Sequence, residues 1–450
     1  MNSPLRITRQ TSLCVWLACA TAALGALFGA RSLGIVLFKL DWIFPNENDS
    51  WKPMGLALRH FTDGNGDGLY RSLFFEGHVK FQYPPSSLLP MELLNQFGLM
   101  NLLSLNIINA IVFVLNAAVV AVFAWLLFSE PRSTARTSPT GKHFEFTTAH
   151  YAAALAFAAC WLFHPLTYAF KIGQIQLWID LAFSLACLFW LLDRKTAAGA
   201  AIGFAVALKP QYGLLLVWAL LWREWSFVRG FLAMSLPLAA LSLWHYGWNN
   251  HLEYLDVLSF ISRHGESYYA NNSVNGIMHR LLQNGPNLEW RAGEFAPYNP
   301  YVFAATSIAA VVFLSIPMLL AWLGRDRRPT IADFGVATLC FTIGSPVAWE
   351  HHYGIMIPLF LVALRQIWNM PEARAQSWAL LALSISWLLS TGKLPNKLLT
   401  DDSIFNISKS AFNIVQSHLF FGGLLLIGLL LMPLWSRYGR ALHAAPLTRA

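Results

Sequence analysis

The sequence predicts an all-α integral membrane protein, a polytopic helical bundle of about 12 membrane segments with interfacial helices in its outer loops. Three observations predict it. Hydrophobic residues make up 56% of the 450-residue chain. Charged residues make up only 12%, where a soluble domain carries roughly 25%. The deficit runs the whole length, as repeated apolar stretches near the ~20 residues that a helix needs to cross a bilayer.

In chain order, candidate spans lie at 12–38, 102–128, 149–168, 175–192, 230–247, 301–323, 331–348, 353–368, 377–391 and 416–435. The first follows Arg6 and Arg9. It is too long for a signal-peptide core and is read as a retained span. Between 197 and 222, two short apolar pieces flank Lys209-Pro210-Gln211. Each is too short to cross alone, so the pair is read as a re-entrant hairpin or two short spans whose break faces protein or water.

Basic residues set the orientation. With the N-terminus inside, seventeen of the 31 Lys and Arg residues fall in cytoplasmic segments, in short runs such as LDRK and GRDRRP. The reading is one membrane domain, 1–450, with a cytoplasmic loop at 129–148 and large outer loops at 39–101, 248–300 and 392–415. It corresponds to a multi-pass protein of the cell (inner) membrane. MELLNQFGLMNLL and HLEYLDVLSFIS read as amphipathic helices along the outer interface.

Composition narrows the function classes. The net charge of +8 follows from the cytoplasmic loops and does not point to nucleic acid. The five cysteines sit in apolar runs without metal-ligand spacing, so no disulfide framework, metal or cofactor is expected. Ionisable groups gather in outer loops; of the carboxylates, only Asp180 lies well inside a span. A pump would place paired carboxylates there, so an enzyme with its site at the outer surface is favoured over a transporter. In DGNGDG (63–68) the start of a calcium loop is present, but position twelve is Phe74 rather than Glu. A glycine turn is expected. Tyr83-Pro84-Pro85 reads as a rigid turn into an interfacial helix.

Several short pieces, in order, form a set. They are Asp49 with WKPMGLALRHF, GLY (68–70), FQYPPSSLL (81–89), GQIQ (173–176), ALKPQ (207–211), NNSVNGIMHRLL (271–282) and GSPVAWEHHYGIMIP (344–358). Together they resemble the membrane GT-C glycosyltransferases, specifically glycosyltransferase family 87, which includes polyprenyl-phosphate-mannose-dependent mannosyltransferases. The resemblance covers roughly residues 45–360. It implies a GT-C-like bundle and inverting transfer of a hexose, mannose by family precedent, from a polyprenyl-phosphate donor to a glycolipid or polysaccharide acceptor. It also implies that Asp49, the acid in the first outer loop, is the base.

An inverting displacement needs a carboxylate beside the acceptor oxygen, opposite the leaving phosphate. Asp49 is the first candidate, with Asp41 and Glu47 behind it; the alternative is that Asp49 caps the helix that follows. His351, His352, Lys209 and Arg280 are candidates for the donor phosphate. Against them stand an aromatic-belt pair for the histidines and an Asp180 partner or snorkelling for Lys209. Only one of the adjacent histidines is expected to face the site. Gln174, Asn272, Asn275 and Glu350 are candidates for sugar or acceptor contacts, with turn formation as the other account of NNSVNG. Two other readings share the topology: a different lipid-linked-glycan transferase or ligase, and a transporter or flippase of lipid-linked sugars.

Overall fold

The computed structural model describes residues 9–38, 48–129, 147–324, 326–392 and 411–444. Asp41, Glu47, most of the 129–148 loop and most of the 392–415 loop lie outside them. Among the described residues every regular element is helical, apart from one isolated bridge between Asn271 and Trp349.

Five helices contain stretches long and apolar enough to cross a membrane: α1 (Arg9–Phe38), α4 (Leu102–Phe128), α10 (Trp225–Tyr246), α13 (Pro300–Leu323) and α17 (His418–Ala444). Together α5 (Thr148–Leu162) and α6 (His164–Lys171), which bend by 51° where they meet, are long and apolar enough for a sixth span or a re-entrant loop. The break falls at extended Phe163, and Pro165, in the first turn of α6, lacks the N–H that would have continued the α5 ladder. The other apolar segments are shorter, among them α7 (Gln176–Leu191), α8 (Lys195–Leu208), α9 (Leu214–Leu221) and α14 (Ile331–Ile343). A 14-residue helix such as α8 extends roughly 21 Å, short of the ~30 Å hydrocarbon core. By length the described residues thus give five or six full crossings and a set of part-crossings. α15 (Met356–Trp368) and α16 (Ala373–Thr391) complete the apolar bundle.

Small residues let the helices approach closely. On α8 and α10, a Cβ at Gly199 would lie 2.0 Å from Phe227 O, and one at Gly230 would lie 1.8 Å from Thr196 O. Backbone-to-backbone contact of this kind is a main source of helix association where lipid supplies no hydrophobic drive. Gly230→Ala is expected to cost about 1–3 kcal/mol through overpacking, seen as a lower thermal midpoint in nanodiscs. Deeper in, Trp190 stacks on Phe334 at 5.1 Å, with Trp218 and Phe227 against the same rings.

The outer elements are irregular and polar. α2 (Trp51–Thr62) buries Trp51, Met54, Ala57 and Leu58, and Trp51 Nε1 donates to Asn106 Oδ1 on α4. The DGNGDG run is a turn with Gly64 and Gly68 at φ +86° and +85°, a region glycine enters freely. It docks on α11 (Trp248–His264): Asn250 Oδ1 accepts from Leu69 N–H, and Asn249 Nδ2 donates to Asp67 Oδ2. α11 buries Asn250, Tyr254, Val257 and Ile261, the helical stripe its sequence predicts. In MELLNQFGLMNLL only the first part is helical, within α3 (Leu88–Gln96). Gly98, at φ +70°, then turns the chain into α4, whose first turn Asn101 caps.

Candidate active site

Two short loops bring the site together. The first precedes α2. Asp49 N–H donates to Ile172 O (2.9 Å) and Ser50 N–H to Gly173 O (3.2 Å), pinning this loop to the GQIQ turn between α6 and α7. Gly173 takes φ +67° there, which allows so tight a reversal. The Asp49 carboxylate is exposed and accepts from Gln174 Nε2. Ser50, fully buried beneath it, donates to Gln174 Oε1 (2.8 Å) and accepts from Ile175 N–H (3.1 Å). The Tyr83 hydroxyl reaches Ser50 Oγ (2.8 Å) and Gln174 Oε1 (3.3 Å). Burial, reinforced by Asp49, pushes that hydroxyl well above the usual tyrosine range, so it stays protonated. The capping position of α2 falls on Ser50, not Asp49, and Ser50 spends its Oγ on this network instead.

The second loop is the break after α8. Lys209 is extended, as the residue before Pro210 should be, and the chain resumes as a 3-10 turn, Pro210–Gly213, and then α9. Lys209 Nζ donates to Gln176 Oε1 (2.7 Å) and lies 2.5 Å from His352 Nε2. Gln176 Nε2 donates in turn to Asp180 Oδ1 (3.0 Å). Lys209 thus reaches Asp180 through Gln176, and Asp49 is close enough to act on the Lys209 charge.

His351 and His352 lie in a 3-10 turn, Glu350–Ile355, with their rings edge to face at 4.7 Å. His352 takes the Lys209 contact, and Trp349 N–H donates to its Nδ1 (3.3 Å). The turn sits hard on α7: a Cβ on Gly354 would lie 2.2 Å from Asp180 Oδ2. Glu350 is buried with its Oε2 3.3 Å from His164 Nε2, so it orients the histidine at the α5–α6 bend rather than its neighbours.

Three candidates are not brought to this cluster. Arg280, on α12 (Val274–Leu281), is 2% exposed and donates to Tyr268 O, Asn271 O and Ser417 Oγ. Burial lowers it to about 9. Asn275 is fully buried between Glu266 N–H and Thr306 Oγ1, and Asn272 is held by Ala348 O, Ala270 O and Tyr353. Asn272 helps to dock the NNSVNG segment onto the chain before His351, while Asn275 and Arg280 tie it to Glu266, Thr306, Tyr268 and Ser417. Arg280→Met is expected to cost roughly 1–3 kcal/mol by stranding buried acceptors, lowering the thermal midpoint without raising donor KM.

Gln176 and Tyr83 lie within the GQIQ and FQYPPSSLL pieces but were expected to have no site role, and His164 and the Lys80–Glu266 pair were not singled out by the sequence. Lys80 stands one residue before FQYPPSSLL, the only signal that marks it. Its Nζ is 2.5 Å from Glu266 Oε1. Burial pushes Glu266 up to about 7 and holds Lys80 below the usual lysine range. A cavity of about 870 Å³ lies at the opposite ends of α14 and α15, lined by Arg327, Asp333 and Arg365 among others. It is about 20 Å of helix away from the groups above.

Fold and site define a multi-pass helical membrane protein with a polar cluster built from its interhelical loops. The chain belongs to glycosyltransferase family 87, whose model matches residues 81–346, more than half of its length. Gln174, Gln176 and Lys209 lie within the matched residues; Asp49, His351 and His352 lie outside them. It is 27% identical over 250 residues to a polyprenol-phosphate-mannose-dependent alpha-(1-2)-phosphatidylinositol pentamannoside mannosyltransferase of Mycobacterium tuberculosis (strain CDC 1551 / Oshkosh), covering 54% of this chain and 53% of the relative. A protein of the same description from Mycolicibacterium smegmatis (strain ATCC 700084 / mc(2)155) is 27% identical over 232 residues, covering 50% and 52%. The chain spans about half the length of these curated relatives. No solved structure matches it.

Proposed function

We propose that this protein is an inverting glycosyltransferase. It moves a mannosyl group from a polyprenyl-phosphate donor to a hydroxyl of a glycolipid or polysaccharide at the outer face of the membrane. One observation carries the reading: GQIQ holds Asp49 through Gln174 and the Lys209–His352 contact through Gln176, so a carboxylate and a lysine–imidazole pair are set on one turn. Asp49 accepts the acceptor proton as its oxygen bonds to the sugar C1. The bond from C1 to the phosphate oxygen breaks, and the phosphate leaves with the electron pair. Lys209 and His352 meet the charge gathering on that phosphate. Attack opposite the leaving group inverts C1, and the proton passes from Asp49 to water.

Family membership supports glycosyl transfer, and the names of the two relatives support mannose, a lipid-phosphate donor and a glycolipid acceptor. The outer face rests on the Lys and Arg distribution. The test is full-length protein in vesicles of known sidedness, given polyprenyl-phospho-[14C]mannose or -glucose and membrane-impermeant mannoside acceptors. Product of inverted configuration, made only from acceptor on the outer side, is expected. Donor flipping without product would establish the transporter reading instead.

A further inference from the structure

We infer that Trp290, backed by the Lys80–Glu266 pair, is an acceptor-sugar subsite that receives a pyranose ring beside Asp49. The inference rests on the transferase reading above and assigns residues that reading does not use. Trp290 is 40% exposed, yet its indole is fixed on several sides. Lys80 Nζ sits 4.1 Å from its ring centroid, Trp349 meets it edge-on at 5.3 Å, and Tyr268 lies at 5.5 Å.

The loop that carries Trp290 is pinned rather than draped. Ser267 Oγ donates to Pro286 O (2.7 Å) and Tyr269 N–H to Asn287 O (2.9 Å). Gly285 turns the chain at φ +109°, so close to Ser267 that a Cβ would fall 2.7 Å from its Oγ. Glu266 is held from behind, its N–H donating to Asn275 Oδ1 and its carbonyl accepting from Asn271 Nδ2. Asn271 also accepts from Ala348 N–H, which ties the same platform to the segment leading into His351 and His352.

Two facts favour a sugar over a tryptophan that merely meets the membrane interface. An ammonium over one face of the indole is paired with a carboxylate, both nearly buried, leaving the other face for a ligand. The carboxylate accepts from hydroxyls and the ammonium donates to them, and a polyol supplies both kinds of partner. The negative face of the indole suits the weakly positive C–H face of a pyranose. The platform is also in the right place: Asp49 is close enough to Lys80 to act on its charge, and Trp349 joins Trp290 to the histidines. A ring stacked on Trp290 therefore sits on the side chain that packs against Trp349, whose N–H donates to His352 Nδ1.

The test separates binding from catalysis. Saturation-transfer NMR is recorded on the full-length protein in nanodiscs with methyl α-mannoside and methyl α-mannobioside, without donor. Saturable transfer to the sugar C–H protons, lost in Trp290→Ala and kept in Trp290→Phe, is expected. In turnover assays Trp290→Ala raises the ratio of acceptor KM to donor KM about tenfold. Sugar binding that survives Trp290→Ala overturns the subsite, including the case in which Trp290 serves only the membrane interface. Wild-type protein that cleaves donor in an Asp49-dependent manner but binds neither mannoside also overturns it, while the transferase reading stands. Trp290-dependent binding without any donor cleavage upholds the subsite and overturns the transferase reading.

Discussion

Asp49→Asn is expected to lower turnover by about 10²–10⁴-fold while leaving donor KM near that of the wild type. The substitution keeps size and hydrogen-bonding capacity, so the loop pinned to Ile172 and Gly173 should persist. What it removes is the capacity to take a proton from the acceptor hydroxyl. The exposed setting of Asp49 fits that role, because the group must meet an acceptor arriving from outside, while buried Ser50 and Gln174, with half-buried Tyr83, hold it in place. The measurement is single-turnover transfer with saturating acceptor, wild type against Asn, in the same nanodisc preparation. Wild-type turnover from the variant would remove Asp49 from the chemistry and return attention to Asp41 and Glu47.

The second large effect is expected at the other side of the cluster. Lys209→Met and His352→Gln should each lower kcat by about 10²–10³-fold, and Lys209→Met should also raise donor KM. The charge on the departing phosphate is greatest in the transition state, so most of the loss falls on kcat. Because Lys209 Nζ and His352 Nε2 are in direct contact, the double variant should lose far less than the product of the single losses. Fully additive losses would show that the two act at separate places and that the contact carries no part of the reaction.

How far this was legible depends on the kind of signal. Hydropathy announced the long helices because a bilayer demands about 20 apolar residues in a row. The spacing of Tyr254, Val257 and Ile261 announced α11, and Lys209-Pro210 announced the break, since a proline constrains the residue before it. Gln176 gave no such signal. An uncharged amide at the head of an apolar helix looks like a polite ending, and its link to Lys209 exists only once α7 and α8 are packed. His164–Glu350 and Lys80–Glu266 are each separated by 186 residues, beyond any local pattern. Arg280 misleads in the opposite direction. An arginine in an outer loop looks available for phosphate, but the loop hydropathy does not say which residues the folded loops will cover, and Arg280 is covered.

The GQIQ turn has a consequence for inhibition. Gln174 and Gln176 are separated by a single residue, so under the proposed mechanism the seats for the attacking and departing groups are linked through covalent bonds as well as through helix packing. A compound that joins a cationic ring analogue of mannose to a phosphonate can therefore occupy both seats at a fixed separation. Once its phosphonate docks on Lys209, the ring is presented to Asp49 at high effective concentration. Changes in detergent or bilayer thickness would shift the surrounding helices more than this spacing, so the linker length best suited to such a compound should carry over between preparations.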